Sequence, residues 1–263
     1  MRAENGGKQN LLEMRNITKN FGGVKALDNV SFELRYNETI GLVGDNGAGK
    51  STLMKILSGL YVPDSGEIYY SGEIHHFSNP SDSMTVGIYM IYQKLALVDE
   101  FDASSNIFLG KELKRKKLGS LISVLDKRRM EKEAMNILAP MKIRMNKKLM
   151  RTPVRNLSGG QRSSVAIGKV ISNDAKLLIM DEPTAALGVK ETRQFFDIIN
   201  KLKERGLSFI FISHRMQDVF TISDRIMILR GGKKVSCEEI SKTSIKEVVH
   251  YMVGGDMVES TYA

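Results

Sequence analysis

The chain has 263 residues, 26% of them charged and 42% hydrophobic, with a formal net charge of +9. That is enough chain for one large or two modest domains with a real core; no run approaches the roughly 20 apolar residues of a membrane span, and Met1–Lys8 has no apolar stretch and reads as a frayed tail, not a secretory leader. Cys237 is the only cysteine, which excludes an internal disulfide and suits a reducing compartment, and the basic balance favours polyanions such as nucleotides, nucleic acid or acidic lipid surfaces.

Residues 11–80 read mostly as strands and turns. Val30–Leu34 alternates apolar and polar residues as a half-buried strand does. Within this stretch an apolar strand, Ile40–Val43, runs into Gly44-Asp45-Asn46-Gly47-Ala48-Gly49-Lys50-Ser51, and a helical pattern of Leu53, Ile56, Leu57 and Leu60 follows. The loop fits the phosphate-binding pattern G-x-x-x-x-G-K-[ST] in full. A triphosphate is a dense anion, and such a loop meets it with backbone N–H groups and the positive end of a helix. Lys50 would reach the β- and γ-phosphates, and the Ser51 hydroxyl would serve Mg²⁺. Further on, Glu67–Tyr70 and Glu73–Phe77 flank Ser71-Gly72, a two-residue hairpin signal. His75-His76 sits in that hairpin, where neighbouring side chains point apart, so it reads as surface and not as a metal site.

Residues 94–156 change in texture, becoming rich in Lys, Arg and Met and largely helical. Gln93 stands at the junction, where a neutral amide can touch Mg²⁺ or water. The run Lys111–Lys117 reads as a solvated helix end. Met130, Ala134, Ile137 and Leu138 fall on one helix face that Pro140 ends. Leu157-Ser158-Gly159-Gly160-Gln161 then opens a helix running from Arg162 to Ile171. Serine and two glycines at a helix start offer a second set of N–H groups to an anion. One nucleotide hardly needs two such cradles from one subunit, so two copies packed head to tail are expected, each lending this element to the other's nucleotide.

Residues 175–230 return to alternating strand and helix, the pattern of a parallel sheet with helices on its faces. Leu177–Met180 is continuously apolar and ends in Asp181-Glu182. Carboxylates at the C-terminal end of a parallel strand face the ligand crevice. On an extended backbone the two point to different sides, so Asp181 is expected to hold Mg²⁺ and Glu182 to polarise the attacking water. Phe195, Ile198, Ile199 and Leu202 form a helical stripe that stops at Gly206. Phe209–Ile212 is another buried strand, after which His214 can donate a hydrogen bond to a γ-phosphate. Ile245, Val248, Val249 and Met252 mark a last helix.

With these motifs in this order, nearly the whole chain resembles the ATP-binding subunit of an ABC transporter. The resemblance implies an α/β P-loop NTPase core with a mixed, largely parallel sheet, an N-terminal antiparallel β-subdomain and an inserted α-helical subdomain. It implies one cassette over 1–263, with 1–92 and 157–263 as the ATP-binding core and 93–156 as the helical part. Gly44 to Ser51, with Thr52 after it, would be the Walker A motif that binds nucleotide; Gln93 the Q-loop residue; Ser158, Gly159, Gly160 and Gln161 the signature motif; Asp181 and Glu182 the end of Walker B; and His214 the switch histidine. Phe21 resembles the aromatic that stacks on adenine. Lys50, Gln93, Glu182 and His214 would form the catalytic set, and Ser51, Gln93 and Asp181 the Mg²⁺ set.

Within the family, Phe21–Leu27, Pro183–Thr192 and Asp224–Arg230 resemble importer subunits for sugars; branched-chain amino-acid importers share some of this phrasing. Many sugar importers fuse two cassettes in one chain, and this chain holds one. The implied partners are ATP, transmembrane permease subunits, a second cassette of the same or a homologous kind, and indirectly a substrate-binding protein. The implied place is the inner face of the cell membrane. Nucleic acid is not expected, because the segment from Gln93 to Asn156 has no sustained heptads of the kind that join the halves of DNA-associated relatives. A cassette that binds without hydrolysing is disfavoured by Glu182 and His214, and a GTPase by the lack of an Asn-Lys-x-Asp run. Two positions depart from the family pattern. Gly188 stands where an Asp that couples the two sites is common. Gly168 costs the signature helix about 1 kcal/mol relative to Ala, so a less rigid helix is expected.

Overall fold

The computed structural model describes residues 9–91, 97–116, 123–139, 146–185 and 187–254. In chain order the elements are β1 (Asn10–Phe21), β2 (Val24–Arg35), β3 (Thr39–Val43), α1 (Lys50–Leu57), β4 (Ser65–Tyr70), β5 (Glu73–His75), α2 (Pro80–Thr85), β6 (Ile88–Ile91) and α3 (Ala103–Ile107). There follow β7 (Lys114–Lys116), β8 (Ser123–Leu125), α4 (Lys127–Leu138), α5 (Lys147–Met150), α6 (Gly159–Ile171) and β9 (Leu177–Asp181). The last are α7 (Val189–Lys203), β10 (Ser208–Ile212), α8 (Met216–Ile222), β11 (Arg225–Arg230), β12 (Lys233–Glu239) and α9 (Ile245–Val253).

Two compact units divide these residues. The first takes those up to 90, those at 176–182 and those from 203 onward; the second takes 91–175 and 183–202. In this division α6 and most of α7 fall with the second unit.

The first unit holds two sheets. One is antiparallel in the order β2-β1-β4-β5. The other has the order β12-β11-β3-β10-β9-β6, in which β11, β3, β10 and β9 run parallel and β12 pairs antiparallel to β11. All five residues of β3 are buried, as a central strand covered on both faces requires. A single apolar cluster joins Met14 and Phe32 of the smaller sheet, Leu53, Ile56 and Leu57 of α1, and Leu42, Ile179, Ile210 and Met227 of the larger one. The β4–β5 hairpin turns at Ser71-Gly72 as expected, both residues having positive φ. Leu60 does not belong to α1. The helix closes at Ser58-Gly59, where the Leu60 N–H donates to the Lys55 carbonyl at 2.8 Å, and Leu60 lies exposed.

In the second unit α3 and α4 pack on α6, and Met130, Ala134 and Leu138 of α4 are buried. The basic run is not a helix end: Lys114–Lys116 is β7, paired with Ser123–Leu125. Arg115 lies opposite Val124, a cross-strand partner that helix propensity does not register. Gly168 has a packing reason. A Cβ there would stand 2.9 Å from Leu138 Cδ2 and 3.1 Å from Ile107 Cδ1, so the glycine lets three helices meet closely. Among the described residues no helix is long and apolar enough to cross a membrane.

Candidate functional site

The parallel register fixes where the chemistry collects. Ile212, the last residue of β10, pairs with Leu42 on one side and with Asp181 on the other. The loop after β3, the acids at the end of β9 and the histidine after β10 thus leave three adjacent strand ends on one edge. That edge is the C-terminal one, where open α/β sheets bind ligands.

The loop Gly44–Gly49 is held from behind by main chain. Gly44 has φ 151°, and a Cβ on it would lie 2.1 Å from the Leu229 carbonyl oxygen of β11, so no side chain fits. The Ala48 carbonyl accepts the Gly232 N–H at 3.2 Å, and the Gly232 carbonyl accepts the Asp28 N–H at 2.8 Å. Gly49 caps α1 with φ 102° and supplies no side-chain hydrogen bond. The first-turn N–H groups of α1 therefore face the loop without a side-chain acceptor.

Lys50 is 7% exposed, and its Nζ donates to the carbonyls of Gly44 at 2.6 Å and Asp45 at 2.9 Å. Burial pushes its ammonium below the ordinary lysine range, while Asp181, Glu182 and Asp45 draw it back up. Burial likewise raises the Asp181 carboxyl, opposed by Lys50, His214 and Lys55. With the Ser51 hydroxyl, Asp181 offers the hard oxygen donors that fit Mg²⁺, an ion commonly held by one or two carboxylates plus substrate phosphates.

Glu182 departs from the extended backbone expected of it. Its φ is 51°, a left-handed conformation uncommon outside glycine, and it is this turn that separates its side chain from that of Asp181. The turn is held at both ends. The Glu182 N–H donates to the Ile212 carbonyl at 2.9 Å, and its Oε1 accepts the His214 N–H at 2.8 Å. The buried Ser213 hydroxyl donates to Oε2 at 3.4 Å, and His214 Nε2 lies 3.7 Å from Oε1. Strained residues that their surroundings over-determine cluster at active sites.

Phe21 closes β1 with 43% of its surface exposed; its ring centroid lies 5.2 Å from that of Tyr61 in an edge-to-face arrangement. In the second unit, Ser158 caps α6 in a reciprocal box. The Ser158 N–H donates to Gln161 Oε1 at 3.0 Å, and the Gln161 N–H donates to Ser158 Oγ at 3.4 Å. The Gln161 amide is thus committed to the cap, and the N–H groups of Gly159 and Gly160 are the donors left for an anion. Gly188 lies against Glu191 in the first turn of α7, whose Oε2 would stand 2.6 Å from a Cβ on the glycine. Gln93 lies outside the described residues. Sequence reasoning missed Leu229 and Gly232 behind the phosphate loop, for which the Gly231-Gly232 pair was the available signal, and Ser213, which Ile212-Ser213-His214 placed in plain view.

Comparison with known proteins places the chain in a family. The model of the ABC transporter family matches residues 27–185. A ribose import ATP-binding protein of Burkholderia cenocepacia is 40% identical over 252 residues, 96% of this chain and 48% of the relative. A galactose/methyl galactoside import ATP-binding protein of Clostridium perfringens is 41% identical over 250 residues, 95% of this chain and 47% of the relative. The chain spans about half the length of these two. A xylose/arabinose import ATP-binding protein of Sulfolobus acidocaldarius is 40% identical over 92% of this chain and 93% of its own length. Among solved structures, a nucleotide-free ATP-binding cassette from an ABC transporter aligns with TM-score 0.80 at 25% identity, over 94% of this chain and 100% of the other. A cassette in its ADP conformation aligns with TM-score 0.77 at 28% identity, over 94% and 99%. On its motifs, its sheet order and these relatives, the chain belongs to the ABC transporter family.

Proposed function

We propose that this chain is the ATP-hydrolysing subunit of an importer that carries a sugar, working at the inner face of the membrane with separate permease subunits and a second cassette. The observation that supports this best is the single edge of β3, β10 and β9, which carries the phosphate loop, Asp181 and Glu182 together, with Glu182 tied to His214. The sugar comes from the relatives, three of which are named for ribose, galactose or xylose/arabinose import; an amino-acid cargo is not favoured by them. A substrate-binding protein outside the membrane belongs to the same reading.

The residues divide the work as follows. Lys50 exchanges its bonds to the Gly44 and Asp45 carbonyls for the β- and γ-phosphates, whose charge repays its desolvation. Ser51 and Asp181, with Gln93 of the Q-loop, would hold Mg²⁺, whose charge would offset that of the phosphates. Glu182, fixed by the His214 N–H, orients the attacking water and accepts its proton. The exposed His214 imidazole donates to the γ-phosphate as charge develops. Ser158, Gly159 and Gly160 of the partner cassette contact the same nucleotide across a head-to-tail interface. Those contacts exist only in the closed dimer, so ATP favours closure and loss of the γ-phosphate opens it.

Purification from detergent-solubilised membranes tests this directly. The chain is expected to bring permease subunits with it and to release phosphate from ATP. Recovery with no membrane protein, joined to salt-sensitive DNA retention in a gel, would transfer the cassette to nucleic-acid work.

A further inference from the structure

The tip that carries Phe21 is tied down by a loop distant in sequence. β1 ends in a two-glycine turn, with Phe21 paired to Val24, and its register slips between Lys19 and Asn20. An irregular hairpin tip of this kind frays unless something holds it. The side chain of Asp64, in the loop after α1, accepts from Lys19 Nζ at 2.7 Å, from the Asn20 N–H at 2.6 Å and from Asn20 Nδ2 at 3.0 Å. Its own N–H donates to the Thr18 carbonyl at 2.9 Å. Asp64 therefore grips the three residues immediately before Phe21. These bonds hold its carboxyl below the usual aspartate range, so the clamp is ionised at neutral pH.

The same loop supplies Tyr61. Its ring stands edge-on to Phe21, its N–H donates to the Lys55 carbonyl at 3.1 Å, and it packs against the core cluster. Lys19 Nζ, already bound to Asp64, lies 5.6 Å from the Phe21 ring centroid. Phe21 is thus oriented by Tyr61 and Lys19 while a large part of its surface stays open. One helix joins the two ends of this arrangement: α1 starts in the phosphate loop at Lys50 and leads into Tyr61 and Asp64.

We infer that Asp64 is the positioning residue for nucleobase recognition, with Tyr61 as its support: it presets the Phe21 ring as a platform for a flat heteroaromatic base at a fixed offset from the phosphate loop. This rests on the reading of Phe21 as the base platform. Stacking accepts any base with a π-face. The clamp governs affinity for the base half of a nucleotide and leaves the polyphosphate half untouched, a division that a merely structural role for Asp64 would not produce.

Calorimetry with two ligands separates the halves: Mg-ATP, and Mg-tripolyphosphate, which has no base. Asp64→Ala is expected to weaken ATP roughly threefold to tenfold, and Phe21→Ala roughly tenfold or more, the scale of losing one aromatic–base stack. Both keep tripolyphosphate binding within about twofold of the parent, which also reports an intact phosphate loop. In the Phe21→Ala background, Asp64→Ala adds nothing further, because the two act through one ring. Asp64→Asn, which keeps an acceptor for the Asn20 N–H, falls between parent and alanine variant and serves if the alanine variant does not fold. If Phe21→Ala weakens ATP while both Asp64 variants bind it like the parent, the inference is overturned alone. Equal losses for ATP and tripolyphosphate, or additive losses in the double variant, overturn it as well. If Phe21→Ala itself leaves ATP binding unchanged, the platform reading falls and takes the inference with it.

Discussion

The Glu182 carboxylate accepts the main-chain N–H of His214 at 2.8 Å, linking the residue that follows β9 to the second residue after β10. The donor is backbone, so the link survives any change of the histidine side chain. It also aims one carboxylate oxygen from a left-handed residue that would otherwise favour another conformation.

Glu182→Gln keeps an oxygen for that N–H, so the fold and the nucleotide site are expected to persist while the acceptor for the water's proton is lost. We expect ATP to bind and phosphate release to slow by roughly 10²–10⁴-fold, the range for losing acid–base help. Turnover at the parent rate removes Glu182 from its role.

Asp181 should trade stability for activity. Burial raises its carboxyl above the ordinary aspartate range. A raised folded value means that its stabilising contribution is full below the unfolded value and is lost as pH rises through the folded one. At pH 7, without nucleotide, ionised Asp181 therefore costs stability. Asp181→Asn is expected to melt a few degrees higher than the parent at pH 7, with the gap closing toward pH 3, and to hydrolyse ATP far more slowly. A lower melting temperature at pH 7 contradicts this.

Lys50→Ala removes a buried ammonium that donates to the loop carbonyls of Gly44 and Asp45. ATP affinity is expected to fall at least tenfold, roughly 1.4 kcal/mol or more, since charge-assisted bonds to phosphate are lost. An unchanged dissociation constant by calorimetry counts against the loop assignment.

Gly168→Ala sets helix propensity against packing. Propensity favours Ala by about 1 kcal/mol. The added methyl, 2.9 Å from Leu138 and 3.1 Å from Ile107, both fully buried, brings overpacking of about 1–3 kcal/mol. The melting temperature is expected to stay level or fall, and a rise of several degrees would show that α6 has room to spare.

The local features of the site were legible in the sequence, because each is a contiguous motif bounded by an apolar strand: Gly44–Ser51 after β3, Asp181-Glu182 at the end of β9, His214 after β10. What escaped was whatever depends on distant pairing. The Leu229 carbonyl lies behind Gly44 only because β11 runs beside β3, and Asp64 meets Asn20 across 44 residues. Lys114–Lys116 looked helical because Lys and Arg are good helix formers, and only the pairing with β8 makes a strand of it. The left-handed turn at Glu182 has no signature at all in a non-glycine residue.

Light scattering on the Glu182→Gln variant with ATP and Mg²⁺ tests the core of the proposed mechanism most directly. We expect a monomer without nucleotide and a dimer with it, a dimer that Ser158→Arg abolishes. A variant that binds ATP yet keeps the scattering mass of one chain at every concentration would contradict a nucleotide shared between two cassettes.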